Sequence, residues 1–474
     1  MQMKFRFHLT LLIGLIPLLC GFNDAVAQNR PNVVIIVSDD HGFNDIGWNN
    51  PEVKTPVLSR LASEGAILDR FYSNPICSVT RAALMTGIST IKTGVNNRQG
   101  LDLKYRILPQ AFHDAGYQTW MFGKWHLGGA EDNSFNTAEY MPHRRGFDYF
   151  YGFLHGAIDY YTHERHDLGK LDWQRNGKPV EEKGFTTDLL ADDARRMISE
   201  RDKSKPFLIY LPFNGVHGPL QMPPGSAAGQ GRRQDRRVTL LANLTHLDKA
   251  VGRLAKTLED EGIDKNTIIL FFGDNGGQLS NGASNEPLRG EKGGTFEGGI
   301  REPAFIRWPG VISPGQKSGQ FISAMDVLPT LAAAAGIETG IKGAIDGVNL
   351  WPALKSGKVA EHPPFVMGFR DTALFSGHWK LISPGQGQAP MLFDIVKDPN
   401  EKIDVAGQNK EVVARLEKEL AAVTQGAPRR QGGGGGAGGN AQKKAARKKG
   451  MEQGKGAQKK KGMNKPANGN SKEN

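Results

Sequence analysis

Short apolar runs alternate with stretches of helical periodicity through most of the chain. Residues 33–37 form a continuous run, Val-Val-Ile-Ile-Val, which is typical of a central strand buried on both faces. Residues 207–211 and 267–272 have the same character. Amphipathic spacing predicts helices at residues 55–65, 108–115, 187–199 and 239–262. This alternation predicts an α/β fold in which helices cover both faces of a large, mostly parallel sheet.

The amino-terminal end does not share this pattern. Lys4 and Arg6 precede an apolar run at residues 9–19, and residues 25–27 (Ala-Val-Ala) form a small-x-small cleavage sequence. Residues 1–27 are therefore predicted to be a secretory signal peptide. The apolar run is too short to span a bilayer. We expect a periplasmic or secreted protein without a transmembrane segment.

The carboxyl-terminal end carries the chain's excess charge. Residues 425–474 contain 13 Lys or Arg and two acidic residues, an excess equal to the net charge of +11. They include the glycine run 432–436 and almost no large apolar side chains, a composition that predicts a disordered tail. The charge fits both a solvated tail and one that contacts polyanions such as sulfated glycans, nucleic acid or anionic surfaces. The rest of the chain is electrically balanced.

Polar residues follow two of the predicted strands directly. Asp39 and Asp40 come after the run 33–37, and Asp274 and Asn275 come after the run 267–272. In α/β sheets, ligands bind outside the carboxyl ends of the strands. Carboxylate and amide oxygens suit Ca²⁺ or Mg²⁺, although an Asp-Asp pair after a strand is also common in a simple turn.

The chain has two cysteines, Cys20 in the predicted signal peptide and Cys77. A lone cysteine in an exported chain cannot form an internal disulfide, and its usual role is that of a small buried apolar residue. Here Pro75 and Ser78 indicate a turn leading into a helix, and Arg81 lies one helical turn further on. A helix N-terminus beside a fixed positive charge favours a reactive or anionic group.

The sequence from Cys77 resembles a known family. Cys77-x-x-Thr-Arg81, continued by Thr86-Gly87, is similar to the signature of the type I sulfatases, with Val79 where that family has Pro or Ala. Gly-Lys-Trp-His-Leu-Gly at residues 123–128 resembles a second signature block. Further blocks in family order lie at residues 214–219, 287–303, 326–330, 346–350, 379–382 and 392–395, so the resemblance extends over residues 31–406.

The resemblance implies a sulfuric ester hydrolase. In that family the cysteine is oxidised to formylglycine, an aldehyde whose hydrate attacks the sulfur of a sulfate ester. A formylglycine-generating or equivalent maturation enzyme would then act on Cys77. The resemblance also implies one bound Ca²⁺, with Mg²⁺ as the alternative. The implied metal ligands are Asp39, Asp40, Cys77 after conversion, Asp274 and Asn275.

Catalytic roles are implied in the same way. Arg81 and the metal would hold the hydrate ready for attack. Lys124 and Lys292 would bind and neutralise the sulfate. His217, with help from Lys292, would contact the substrate and protonate the leaving sugar oxygen. His126 would take the proton from the second hydroxyl, which expels sulfate and restores the aldehyde.

The expected substrate is a sulfated carbohydrate. Residues 147–153 and 159–165 are rich in aromatic side chains and resemble the arylsulfatase B group, which includes N-acetylgalactosamine-4-sulfatases. Tyr160 and His163 are the substrate-binding candidates in these stretches, since an aromatic ring can stack on a sugar. We expect action on a terminal sugar, as in chondroitin, dermatan or algal polysaccharides.

The resemblance further implies an alkaline-phosphatase-like fold with a smaller α+β domain that carries an antiparallel sheet. The predicted divisions are a signal peptide at 1–27, a catalytic domain at 28–355, a small domain at 356–424 and the tail at 425–474. Three alternatives stay open: a phosphonate monoester hydrolase or phosphodiesterase of the same superfamily, a silent glycan-binding protein with unconverted Cys77, and a nucleic-acid-binding protein that uses the tail. The oligomeric state is not predicted.

Overall fold

The computed structural model describes residues 30–96, 100–128, 137–165, 167–226, 235–343, 345–385, 387–425 and 427. These residues belong to one compact unit, Met1–Pro428. The predicted signal peptide and nearly all of the basic tail lie outside the described residues. The predicted boundary between residues 355 and 356 stays a prediction.

The strands form one large sheet, one small sheet and one short hairpin. In chain order they are β1 (Asn32–Ser38), β2 (Ala66–Tyr72), β3 (Gln118–Lys124), β4 (Tyr149–Phe153), β5 (Glu164–Arg165), β6 (Lys170–Leu171), β7 (Gln174–Arg175), β8 (Lys178–Pro179), β9 (Phe207–Pro212), β10 (Thr267–Gly273), β11 (Arg301–Glu302), β12 (Ala304–Arg307), β13 (Gln316–Ser323), β14 (Phe365–Gly368), β15 (Thr372–Ser376), β16 (Trp379–Ser383) and β17 (Met391–Asp394). The main sheet has the order β11-β2-β12-β10-β1-β9-β3-β4-β7-β8, and β13 also pairs with β2.

The centre of the main sheet is parallel and is flanked on both sides by antiparallel pairs, whereas β13 pairs in parallel with β2. β10, β1, β9, β3 and β4 pair in parallel. β12 pairs antiparallel with β10, and β7 pairs antiparallel with β4. The expected α/β fold with a mixed, mostly parallel sheet is therefore confirmed.

β1 lies within this parallel centre because both of its faces are apolar. Val33, Ile35 and Val37 pack into one apolar cluster, and Val34 and Ile36 pack into another. Such alternation follows from the two-residue period of a strand. The other two predicted strands are β9 and β10, which pair with β1 on either side.

Helices cover both faces of the sheet. They are α1 (Pro56–Ser63), α2 (Cys77–Thr86), α3 (Thr90–Thr93), α4 (Leu108–Asp114), α5 (Thr186–Glu200), α6 (Arg236–Asp260), α7 (Glu297–Ile300), α8 (Val327–Ala335), α9 (Trp351–Ser356) and α10 (Lys410–Val423). Apolar residues of α2, α4 and α8 join the cluster that contains Val33, whereas those of α1, α5 and α6 join the cluster that contains Val34.

The four predicted helices are confirmed as α1, α4, α5 and α6, with ends displaced by at most three residues. The largest displacement is at the start of α6. Asp235 caps this helix, because its carboxylate accepts a hydrogen bond from the Arg237 backbone N–H at 2.8 Å. The cap starts the helix earlier than the apolar pattern indicates.

A separate antiparallel sheet follows, in the order β14-β15-β16-β17. Leu416 of α10 packs against Leu374 and Leu381 of this sheet. The expected small antiparallel sheet is confirmed, and its strands β16 and β17 lie at the two blocks noted in the sequence. Among the described residues, no helix combines the length and apolar character that crossing a membrane requires.

Candidate active site

Polar side chains from several loops meet at one edge of the main sheet. Since β10, β1, β9 and β3 are parallel neighbours, their carboxyl ends lie at the same edge. The side chains at these ends are Asp39 and Asp40 after β1, Lys124 at the end of β3, His217 after β9, and Asp274 and Asn275 after β10.

Cys77 reaches the same edge from β2. β2 and β10 are both antiparallel to β12, so β2 runs in the direction of β10. Cys77 is the first residue of α2, as the sequence predicted. Its side chain is 4% exposed and packs with Ile76 and Phe369. The Cys77 sulfur lies 3.3 Å from Nδ1 of His126.

The thiol is less acidic than the sequence indicated. Arg81 directs its guanidinium to Asp274, with Nη2 at 2.6 Å and Nε at 3.1 Å from Oδ2, and Nη1 donates to the Lys124 carbonyl at 2.7 Å. Burial raises the pKa of the Cys77 thiol, and the charges of Lys124 and Lys292 oppose this only in part. The sequence placed Cys77 beside a positive charge that favours a reactive or anionic group. The structure directs that charge to Asp274 instead, and burial favours the neutral thiol.

Four side chains with oxygen atoms are buried at these strand ends. Asp39, Asp40, Asp274 and Asn275 are each 2% exposed or less. A carboxylate oxygen of Asp39, one of Asp274 and the Cys77 sulfur all lie within 4.8 Å of one another. Asn275 Nδ2 donates to Asp40 Oδ1 at 2.8 Å.

Three oxygens of this group fit a bound cation. Asp39 Oδ1, Asp40 Oδ2 and Asn275 Oδ1 are buried, and none has a hydrogen-bond partner within the described part of the chain. Burial of acceptor oxygens without donors is unfavourable. A hard divalent ion satisfies several such oxygens at once. The donor set therefore fits Ca²⁺ or Mg²⁺.

Two lysines pair with the carboxylates. Lys124 Nζ lies 2.5 Å from Asp39 Oδ2, and both side chains are fully buried. Lys292 Nζ lies 2.5 Å from Asp40 Oδ1, and the Lys292 side chain is 15% exposed. Each of these two buried carboxylates therefore has an ammonium group as a close partner of opposite charge.

These neighbours move the pKa values of the carboxyl groups in opposite directions. Burial alone would raise the pKa of Asp39, but Lys124 and, less strongly, His217 and Arg81 hold it below its usual range. The pKa of Asp274 is raised, first by burial and then by the charge of Asp39, and Arg81 offsets this only in part. The neighbours therefore favour the ionised form of Asp274 less than that of Asp39.

His126 lies beside the cysteine as a neutral base. A Cβ on residue 156 would lie 2.7 Å from His126 Cε1, so Gly156 leaves the space that the ring occupies. Burial lowers the pKa of His126 well below its usual value, and the charges of Lys124 and Arg81 lower it further. A neutral imidazole at 3.3 Å from the Cys77 sulfur can accept a proton there.

His217 is placed to exchange protons through one ring nitrogen. Its Nδ1–H donates to the Gly218 carbonyl at 2.5 Å, and its Nε2 lies 3.7 Å from Asp40 Oδ2. Burial lowers the pKa of His217, whereas the charges of Asp40 and Asp39 oppose this change. The side chain is 20% exposed, so Nε2 can meet an incoming group.

The other two substrate candidates, Tyr160 and His163, are buried and present no ring face to a substrate. Tyr160 is fully buried, and its hydroxyl lies 2.9 Å from the carbonyl oxygens of Asn214 and His217. It therefore holds the loop that carries His217 instead of offering a ring face. His163 is 1% exposed and stacks on Trp173 with the ring centroids 4.7 Å apart.

Two further residues near the site were not singled out from the sequence. The His155 ring centroid lies 6.3 Å from that of His126, and the Asp172 carboxylate accepts the His155 backbone N–H at 2.8 Å. Phe369, from the antiparallel sheet, packs against Cys77. His155 lies two residues after the aromatic stretch 147–153, which is only a weak indication in the sequence that it belongs to the site. No local sequence pattern indicates Phe369.

Comparison with known proteins identifies relatives over most of the chain. The profile of the Sulfatase family matches residues 31–337. Arylsulfatase J of Mus musculus is 30% identical, over 84% of this chain and 76% of the relative. N-acetylgalactosamine-6-sulfatase of Sus scrofa is 30% identical over 89% of both chains. The narrower resemblance to the arylsulfatase B group stays a prediction.

Solved structures share the fold. The crystal structure of Ps i-CgsB in complex with k-i-k-neocarrahexaose superposes with a TM-score of 0.76 and 30% identity, over 85% of this chain and 94% of that chain. The phosphonate monoester hydrolase of Agrobacterium radiobacter superposes with a TM-score of 0.63 at 20% identity, over 83% of this chain and 95% of that chain, a likeness of fold alone. These likenesses confirm the expected alkaline-phosphatase-like architecture.

Proposed function

The chain belongs to the sulfatase family and is a sulfuric ester hydrolase, and we propose that it hydrolyses sulfate esters of carbohydrates at the cluster around Cys77. The observation that carries this proposal is one buried cluster that holds a cysteine, two lysines and three oxygens that lack a hydrogen-bond partner among the described residues. A sulfate ester repels nucleophiles through its charged oxygens, so its hydrolysis requires cations already in place.

The exposure of the site residues supports a carbohydrate as the leaving group. Exposure falls from His217 at 20% and Lys292 at 15% to Lys124 and Asp39 at zero. A sulfate group would lie at the inner end and the sugar beside His217 and Lys292. Two relatives named for sugars, an N-acetylgalactosamine-6-sulfatase and a protein bound to a neocarrahexaose, support the same substrate class. Action on a terminal sugar is part of the proposal.

We propose that one divalent cation, Ca²⁺ or alternatively Mg²⁺, is held by five side chains. These are Asp39, Asp40, Asp274, Asn275 and the side chain derived from Cys77. When bound, the ion would supply two positive charges to the sulfate oxygens and lower the pKa of the nucleophile's hydroxyl.

Cys77 is proposed to be converted to formylglycine, whose hydrate supplies a hydroxyl nucleophile with a second hydroxyl for its release. Cys77 is free of any disulfide and is 4% exposed in the folded chain. A maturation enzyme therefore has to meet this residue before the chain folds. The maturation enzyme would bind an unfolded segment that includes Cys77 and Arg81.

The chain's own residues then have distinct roles. Lys124 and Lys292 bind the sulfate oxygens through their ammonium groups. His217 donates a proton from Nε2 to the leaving oxygen when its ring is protonated, a form that the charge of Asp40 favours against the burial that lowers the pKa of His217. His126 accepts a proton at Nδ1 beside position 77. Arg81 holds Asp274 in place for the cation.

Export to the periplasm or medium is proposed from residues 1–27, which would be removed. Sequencing the amino terminus of the mature protein tests this, and Gln28 as the first residue is the expected result. The presence of Lys4 in the mature protein would contradict it.

Mass spectrometry of the tryptic peptide 71–81 from the native host tests the nucleophile. We expect a peptide lighter by the difference between a thiol and an aldehyde side chain. Rates on an aryl sulfate, a sulfated monosaccharide and a phosphodiester are measured in parallel. The Cys77→Ala variant should lose sulfate hydrolysis by more than about a thousandfold.

The matched control is Val79→Ala, which introduces a residue that the family has at this position and should retain conversion. An unmodified thiol across the whole population, with no sulfate hydrolysis, would contradict the proposed catalyst and favour a glycan-binding protein. A phosphodiester hydrolysed faster than every sulfate would favour the phosphodiesterase alternative.

A further inference from the structure

One hairpin of the antiparallel sheet reaches the candidate active site. β14 ends at Gly368 and β15 begins at Thr372, so residues 369–371 form its tip. Phe369 packs against the cluster of Ile76 and Cys77. The second sheet therefore contributes directly to the surroundings of the nucleophile.

The other side of the tip is anchored to the lysine loop. Asp371 Oδ2 accepts hydrogen bonds from Thr295 Oγ1 at 2.7 Å and from Thr295 N at 3.1 Å. Thr295 lies in the loop that carries Lys292, and Gly293 N of this loop donates to the Pro75 carbonyl at 2.8 Å. The tip, the lysine loop and the segment before Cys77 are thus joined.

The tip has a tight backbone. Gly368 has φ +153°, and a Cβ at this position would lie 2.2 Å from the Asp371 carbonyl oxygen. Phe369 N also donates to that carbonyl at 3.1 Å. The residue between the two anchors is therefore held at a defined position.

That residue is Arg370. It is exposed, and within the described part of the chain its guanidinium forms no ion pair and no hydrogen bond. The nearby cations Arg81, Lys124 and Lys292 are instead committed to site carboxylates. A planar guanidinium binds a carboxylate or a sulfate through two parallel hydrogen bonds. Arg370 is thus a positive charge without an anion, on an element fixed beside the nucleophile.

We propose that Arg370 forms an anion subsite for a second acidic group of the substrate, a carboxylate on the sulfated sugar or on its neighbour. This inference rests on the proposed hydrolysis of carbohydrate sulfates and narrows it, because the preferred substrate then carries at least two negative charges. Phe369 and Asp371 act as positioning residues that hold the guanidinium beside the site.

The test compares matched sulfated disaccharides in which the second sugar is either a free uronate or its methyl ester. The pair used is the one that the wild-type enzyme hydrolyses fastest, and an aryl sulfate reports on the chemistry alone. The wild type should prefer the uronate. Arg370→Ala should raise KM for the uronate about tenfold, the loss expected for one charge-assisted contact. Its rates on the methyl ester and the aryl sulfate should stay within about twofold.

Two variants separate specific recognition from general charge. Arg370→Lys should restore part of the preference. Lys205→Ala removes the same charge from an exposed position before β9, at the opposite edge of the sheet, and should change nothing. Equal losses on all three substrates, or an unchanged KM for the uronate, would overturn the inference. A wild type that hydrolyses aryl sulfate but no sugar sulfate would instead refute the proposed carbohydrate function.

Discussion

The Arg81–Asp274 pair offers the most direct test of how the site is held together. Both side chains are fully buried, and Arg81 makes three hydrogen bonds of 2.6–3.1 Å to the Asp274 carboxylate and the Lys124 carbonyl. Arg81→Gln leaves a buried carboxylate without its partner. Loss of one member of a buried ion pair costs about 3–5 kcal/mol. The total free energy of unfolding of a protein is typically about 5–15 kcal/mol, so this loss is a large part of it.

The assay is urea unfolding followed by tryptophan fluorescence, with a chelator present so that no cation substitutes for the guanidinium. Arg60→Gln is the control, because the Arg60–Glu64 pair is 46% and 33% exposed and should contribute at most about 1 kcal/mol. If Arg81→Gln lowers the free energy of unfolding no more than Arg60→Gln, Arg81 does not hold Asp274 and the reasoning is wrong.

The effect of Arg81→Gln on the free energy of unfolding should also depend on pH, in a direction set by the pKa of Asp274. Burial and then Asp39 raise the folded-state pKa of Asp274, so this carboxyl is protonated more readily in the folded chain than in the unfolded one. Arg81 stabilises only the ionised form. The difference in unfolding free energy between wild type and Arg81→Gln should therefore grow as pH rises through the pKa of Asp274 and shrink below it.

Two further predictions concern Tyr160, beside the site, and His362, which precedes β14. Tyr160→Phe removes the hydroxyl that donates to the His217 carbonyl. This variant should lower the free energy of unfolding by about 1–3 kcal/mol and should also reduce kcat. Both effects should be larger than those of the control variant Tyr161→Phe, because the Tyr161 side chain is 41% exposed. Equal effects of the two would contradict a positioning role. Burial lowers the pKa of His362, but the hydrogen bond and the charge of Asp326 raise it by a larger amount, so the pKa lies above its usual value. Wild-type melting temperature should therefore fall as pH rises above about 6.5, a fall that His362→Gln should lack; identical profiles would refute it.

Local patterns in the sequence were sufficient for the centre of the fold. A strand buried on both faces needs a continuous apolar run, and such runs occur at β1, β9 and β10. The short margin strands β7, β8 and β11 have two residues each, too few for a periodic signal. Their pairing depends on the neighbouring strand, so it could not be predicted locally.

The candidate site divides in the same way. The polar residues after β1 and β10 were candidates because ligands bind outside the carboxyl ends of such strands, and the resemblance to the type I sulfatases implied that they share one metal ion. The partner of Arg81 was not predictable, because Asp274 lies 193 positions away and their contact depends on the packing of α2. Tyr160 shows the opposite error: an aromatic loop residue suggested a sugar platform, but the fold buries it as a support for His217.

The charges of the site give a physical reason why hydrolysis would be favoured over tight binding of the ester. Three carboxylates, Asp39, Asp40 and Asp274, face three fixed cations, Arg81, Lys124 and Lys292. The cluster is therefore near neutral by itself and carries a charge of about +2 with a divalent ion bound. A sulfate monoester enters with one negative charge, and sulfate leaves with two. The attraction thus increases as the ester bond breaks, so it stabilises the transition state more than the bound ester. The lysines serve this purpose only because carboxylates hold them in place beforehand.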